Sequence, residues 1–223
     1  VAEDSYNVMY PNTSNGTSLS NSVGYSGVSR INAQKTKIYE ICYGIPGTTI
    51  TSSSQIQGSD SNYYETISAA QISLSNAVSL SLTLASVSVG TTYSVVIDSV
   101  AISKLAAGGD TINSVLVALT SGLPSGWSGS VSNNILTYTQ ADRINGKVVN
   151  YSTPLTIVSV GSPVEFYAAS PGPLDPAIGT VTNIITQIAG WTSANNESAA
   201  YPGRDVETDT ELRQRYASSV SSQ

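Results

Sequence analysis

Along the first ninety residues, apolar side chains recur mainly at every second position, the spacing of a half-buried strand rather than a helix. Thr36-Lys37-Ile38-Tyr39-Glu40-Ile41-Cys42-Tyr43 alternates in this way and runs into Gly44-Ile45-Pro46-Gly47-Thr48. Glycine permits φ > 0 there and Pro46 fixes φ, so a strand entering a tight turn is predicted. Ile50 resumes the strand pattern, and Tyr63-Tyr64-Glu65-Thr66 adds another strand. Ile72, Leu74, Val78, Leu80, Leu82 and Leu84 then alternate with Ser, Thr or Asn. Val87 and Val89 follow with opposite parity, so Ala85-Ser86 is expected to shift the register as a bulge or a bend does. Residues 66–97 carry no charge over 32 positions, more than the ~20 residues of a membrane-spanning helix. The two-residue period nevertheless predicts a soluble sheet, and the aromatic girdles of a barrel strand are missing. Ahead of these strands, residues 5–16 read as a loop or an arm. Leu19, Val23, Val28 and Ile31 recur at helical spacing and predict a short helix, weakened by Gly24 and Gly27.

From Tyr93 the pattern changes. Residues 93–102 predict a tight hairpin or a bent strand, and Gly108-Gly109-Asp110 introduces a helix capped by Asp110 or Thr111, with Ile112, Val115, Leu116 and Leu119 on one face. Gly122 and Pro124 stop it. Short strands are expected at 127–131, 135–140, 146–150 and 155–160, turning at Asn133-Asn134 and Asn145-Gly146. Ser170-Pro171-Gly172-Pro173 begins a linker or stiff crossing. Ile178 to Ile185 and then Trp191 follow. Thr208 with Glu211 three positions later is a capping box, and Leu212, Tyr216 and Val220 share one face of the helix that starts at about Asp209. The expected fold is mainly β with a few short helices (α+β). Residues 1–90 together with 166–223 would form a discontinuous antiparallel base domain, and 91–165 an inserted small α/β subdomain.

Composition narrows the function. Ser and Thr number 38 and 22, so 60 of 223 positions carry a short hydroxyl, while charged residues make up only 11%. Collagen, coiled coils and charge-driven disorder are excluded. The chain has no histidine, which removes Ser-His-Asp and Cys-His nucleophilic sites and the common zinc sites. A net charge of −6 without a basic patch argues against a nucleic-acid partner. Cys42 is the only cysteine. It makes no intrachain bridge, and assembly in a cytoplasm is the simpler reading. Val1-Ala2-Glu3-Asp4 at one end and Ser221-Ser222-Gln223 at the other read as cuts in something longer.

Eight of the 24 charged residues fall between Glu197 and Arg215. There Asn195, Gly203, Arg204-Asp205-Val206-Glu207-Thr208-Asp209, Leu212-Arg213 and Arg215 resemble the G-x-D-x-E-T-D-x-x-L-R-x-R signature of the baseplate J-like wedge proteins of contractile-tailed bacteriophages and related injection machines. Gly27-Val28-Ser29-Arg30, the strand at 36–43, the Gly44 to Ile50 turn and Gly179-Thr180-Val181 fall in the family's order, so the resemblance covers most of residues 17–217. Thr51-Ser52-Ser53-Ser54 stands where the family usually has P-A-G-T.

The resemblance implies a structural role: a wedge protein that joins into a ring around the tail hub, in contact with copies of itself and with other wedge, hub or sheath proteins. It implies a place in the virion tail baseplate, assembled in the host bacterial cytoplasm. It implies no catalysis, cofactor, metal, nucleic acid, membrane insertion or small-molecule substrate. Glu207, Asp209, Arg213 and Arg215 become candidates for a subunit interface. Gly44, Gly47, Thr48, Gly203, Asp205, Thr208 and Leu212 become structural motif positions.

Each feature also has a plainer reading. Glu207, Glu211 and Arg215 at spacings of four would support a surface helix by a few tenths of a kcal/mol per pair, roughly. Trp127 and Trp191 fit core or rim packing, and Cys42 a small buried hydrophobe. The composition also suits a carbohydrate-binding or adhesive β module of a tail fibre or surface layer. A carboxylate-pair glycosidase would draw on Asp60, Glu65, Asp98, Asp142 or Glu165, but no spacing among them nominates a pair.

Overall fold

A computed structural model describes residues 10–221, with side chains to Ser219. Residues 5–9 of the expected arm and the side chain of Val220 lie outside the described residues. Within them the chain is mainly β, with antiparallel sheets and three short helices. By contacts the described residues divide into two units: 10–36 with Ser170–Pro173 and 202–221, and Lys37–Ala169 with Leu174–Tyr201.

The larger unit is organised on one long strand, β12 (Thr156–Ala168). Its first half pairs with β6 (Ser79–Thr83), its second half with β1 (Lys37–Gly44), and its last two residues with β4 (Tyr63–Glu65). The sheet extends from β4 through β3 (Gln55–Gly58) to β13 (Val181–Ile184), and from β6 through β10 (Ile135–Gln140) to β9 (Trp127–Ser132); β14 (Trp191–Asn195) adds to the free edge of β1. Alternation places Ile38, Cys42, Tyr64, Leu80, Leu82, Leu136, Tyr138, Val160 and Phe166 on the core face, where every one is buried. At about 1.5–3 kcal/mol per large apolar side chain removed from water, this face is the main source of stability. β2 (Thr49–Ile50) pairs with β5 (Ala70–Gln71). A small sheet joins β7 (Thr92–Ile97) to β8 (Val100–Leu105) and β11 (Val149–Tyr151). Asp98 and Ser99 turn the β7–β8 hairpin with φ of 47° and 68°, and Asn133 and Asn134 turn β9–β10 with 51° and 58°. Two successive left-handed residues match the twist of tight hairpins.

The expected helix at 110 is α2 (Ile112–Ala118); Thr111, not Asp110, is its cap, exchanging hydrogen bonds with Ser114. The expected domain boundaries at 91 and 166 do not coincide with the observed division. Residues 91–165 donate β9, β10 and most of β12 to the sheet begun by β1 and β6, and Tyr93, Val95, Val115 and Leu116 share its core. β12 runs straight through the boundary expected at 166. Ala85-Ser86 ends β6 in a bend, leaving Val89 70% exposed in a loop instead of a continued strand.

The smaller unit contains α1 (Gly16–Gly24) and α3 (Asp209–Ser221). Leu19 and Val23 from α1, Val28 beyond it and Leu212 from α3 form its apolar core, with Tyr216 packed against them. No helix among the described residues is long and apolar enough to cross a membrane.

Candidate functional site

In the smaller unit three backbone segments converge where a side chain has no room. Gln34 and Arg204 exchange backbone hydrogen bonds, N to O at 2.8 and 3.0 Å, and the Gly172 amide donates to the Gln34 carbonyl. The buried Thr36 hydroxyl donates to the Gly172 carbonyl at 3.0 Å and accepts from the Gly203 amide at 2.8 Å. A Cβ on Gly203 would collide with the Gln34 carbonyl and sit 2.6 Å from both the Gly172 carbonyl oxygen and the Thr36 nitrogen. Glycine is therefore required by close approach, with no unusual φ involved. The next residue but one, Asp205, is exposed beside Gly172.

The chain then enters α3 through a series of charged clamps. Glu207 is buried just before the helix. Its carboxylate accepts from Arg215 Nε at 2.8 Å, from Arg215 Nη2 at 2.7 Å and from the Ile31 amide at 2.9 Å. The Arg215 hydrogen bonds, aided by the Ile31 amide, hold this carboxyl down at about 2. Arg215 also donates to the Ser29 carbonyl. Thr208 caps α3: its amide and hydroxyl donate to Glu211 Oε2 at 2.8 Å, and its hydroxyl accepts from the Glu211 amide. Asp209 accepts from the Gly16 amide and from Arg30, and both lower its carboxyl. Arg30 continues to the Glu207 carbonyl and Ser20 Oγ. Arg213 donates from Nε to the Pro11 carbonyl and from Nη2 to the Ser14 carbonyl and Asn15 Oδ1, at 3.0, 2.7 and 2.6 Å.

All four interface candidates are thus brought into one cluster, each bonded within the chain. Arg213 is half-buried and bonds to residues 11, 14 and 15. Arg215 reaches past Glu211 to Glu207, so the expected spacing of four from Arg215 is replaced by a contact across eight positions, while Glu211 serves the cap. Beside α3 lies an open groove of about 670 Å³, lined by the Glu207–Arg215 pair together with Ile31, Pro173, Val206 and Gln214. Val206 is 51% exposed there.

The remaining motif positions lie in the larger unit. Pro46 and Gly47 turn the chain out of β1, with Gly47 at φ 93° and the Thr48 amide donating to the Ile45 carbonyl. The last residue of β1, Gly44, faces the Gly190 carbonyl so closely that a Cβ would overlap it. Two further polar features lacked a sequence signal. Arg143 bridges Glu197 and Tyr43, Nε to Oε2 at 2.8 Å and Nη2 to the phenol at 2.9 Å, while the phenol donates to Glu197 Oε1. Glu40 lies fully buried on the core face of β1 with both carboxylate oxygens unpartnered, and desolvation, then nearby Glu197, pushes its carboxyl well up. Among the carboxylates open to a glycosidase reading, Asp60 and Asp142 hold turns and Asp98 faces Lys147. Among the described residues no group of three His, Cys, Asp or Glu is placed to hold a metal.

No protein-family model matches this chain, and no curated protein matches it.

Proposed function

We propose that the chain is a structural component of a contractile phage tail baseplate, a wedge protein that contacts copies of itself and neighbouring wedge, hub or sheath proteins around the tail hub. One observation carries this reading beyond the resemblance. The residues from Gly203 to Arg215 are committed to building one rigid surface element: Gly203 to backbone packing, Thr208 to a cap, Leu212 to the core, and Glu207, Asp209, Arg213 and Arg215 to clamps. A segment so firmly held suits a subunit contact that must form identically in every copy of a symmetric ring.

Because the four charged candidates are engaged internally, the contact itself falls to the groove they support, through Val206 and Gln214. Val206→Asp changes an exposed side chain and should leave folding intact, while placing an uncompensated charge in the contact. The variant should fold with an unchanged melting temperature yet be missing from sedimented particles probed by immunodetection. Normal incorporation would remove the groove from the interface.

A further inference from the structure

One patch on the outward face of the larger sheet, where β3, β4, β12 and β1 lie side by side, carries no aliphatic side chain. The strand registers place Gln55, Glu65, Tyr167 and Lys37 side by side on β3, β4, β12 and β1, with Tyr201 bridged to Lys37 at the end of the row. Adjacent positions on the same face are Gln57, Tyr63, Glu165 and Tyr39. The opposite face of the same strands is Ile56, Tyr64, Ala168, Phe166 and Ile38, all fully buried. Period-two alternation therefore separates an apolar core from a solvent face that carries tyrosines, amides, carboxylates and one ammonium, without an aliphatic side chain at any of these nine positions.

These groups are pre-positioned. Glu165 accepts from Tyr39 and Tyr167 at 2.8 and 3.0 Å and from Lys37 at 3.3 Å; Lys37 Nζ lies 4.7 Å over the Tyr39 ring and 5.1 Å over that of Tyr201. The Tyr201 ring meets Tyr39 edge-on at 6.0 Å and is half exposed, and Tyr63 is 43% exposed. Tyrosine loses few rotamers when bound, presents an electron-rich face and carries a hydroxyl at its tip. The chemistry these features fit is a ring with weakly acidic C–H bonds on one side and hydroxyls at its rim.

We infer that this face binds an uncharged oligosaccharide, laid across the strands with pyranose faces on Tyr201 and Tyr167 and hydroxyls toward Gln55, Glu65 and Gln57. Tyr167 and Tyr201 lie two strand spacings apart, about 10 Å, close to the length of a disaccharide. Charge selects the occupant. The face holds two carboxylates against one ammonium that Glu165 already engages, and the chain's net charge is −6. An anionic glycan would meet repulsion, and a protein partner would find little apolar surface at the centre of the contact.

The test is binding of the full chain to an array of uncharged oligosaccharides built from glucose, galactose, mannose and N-acetylhexosamines, followed by calorimetric titration with the oligosaccharide that gives the strongest signal. Tyr201→Ala should weaken that binding about tenfold without changing the melting temperature, and Tyr201→Trp should retain it. Three results would overturn the proposal: no signal on any uncharged glycan, stronger binding to sulfated or uronic-acid glycans, or an affinity indifferent to Tyr201→Ala. Cross-linking of Lys37 to a neighbouring subunit in assembled particles would instead make the face a protein interface, and also overturn it.

Discussion

Glu207 and Arg215 meet fork to fork, Nε on one carboxylate oxygen and Nη2 on the other, although eight positions separate them and the helix begins in between. The pair also ties α3 to the segment at 29–31, the Glu207 carboxylate accepting from the Ile31 amide and the Arg215 guanidinium donating to the Ser29 carbonyl. A carboxyl held at about 2 in the folded state titrates near 4.3 in an unfolded chain. Its stabilising contribution is therefore complete above about pH 4.3 and is lost as the pH falls toward 2. Melting temperatures measured from pH 5 to pH 2 should fall in wild type and fall less in Glu207→Gln. Arg215→Lys, which keeps the charge but not the fork, should behave like the glutamine variant.

Gly203 and Thr36 make a second relationship that a mutation can separate. Gly203→Ala places a methyl group against two carbonyls and an amide that secondary structure cannot release, so the cost should reach or exceed the 1–3 kcal/mol or so of an overpacked core. Thr36→Val keeps the shape but leaves the Gly172 carbonyl and the Gly203 amide without that hydroxyl, at roughly 1–3 kcal/mol for each buried group left unsatisfied. Denaturant midpoints should drop in both variants. The double variant should cost less than the sum, because both changes act on one junction.

How much of this was legible depends on where each signal resides. The Gly44 to Thr48 turn, the 93–102 hairpin, the α2 cap region and the Thr208–Glu211 box are local, written in residues a few positions apart, and each has a structural counterpart. β3 offers one apolar residue, Ile56, between polar neighbours, too little to register as alternation. β12 hides its length because Gly161 and Pro163 interrupt the pattern, yet Pro163 sits opposite Ile41 in regular register and Tyr43 lies over Gly161. The clamps are long-range. Arg30 meets Asp209 across 179 positions, Arg143 meets Glu197 across 54, and Arg213 meets Ser14 across 199. Spacing along the chain carries no trace of such pairs, so the intrachain partners of Asp209, Arg213 and Glu197 had no signal in the sequence.

Glu40 should show the opposite pH behaviour to Glu207. Burial without a partner raises its carboxyl, so it is neutral in both states below about pH 4.3 and adds no penalty there. As the pH rises the unfolded chain ionises first, and stability declines until the folded pKa is reached. Glu40→Gln should raise the denaturant midpoint at pH 7 and remove that decline. A Glu40→Gln variant less stable than wild type at pH 7 would mean the carboxylate has a partner on the core face. Glu197, Tyr64 and Cys42 are the titratable groups coupled to it, so the comparison is cleanest below the pH at which thiols and phenols ionise.

Arg213 and Thr208 distinguish a clamp from a cap on the same helix. Thr208→Ala removes a hydroxyl that serves only the first turn of α3, and should cost about 1 kcal/mol. Arg213→Ala removes three hydrogen bonds to residues 11–15; with charged donors the loss should be roughly 1.5–3 kcal/mol, and Arg213→Glu should exceed it by turning a carboxylate toward two carbonyls. Melting temperature alone ranks the variants but does not say where the structure opens. Hydrogen exchange does: Thr208→Ala should speed exchange of the first α3 amides, including Glu211, whereas Arg213→Ala should speed exchange at Thr13 and Ser14, whose amides donate to the Tyr10 carbonyl. If Arg213→Ala leaves the exchange of Thr13 and Ser14 unchanged, its guanidinium does not hold that segment. The arginine would then be free for the subunit contact that the signature first suggested.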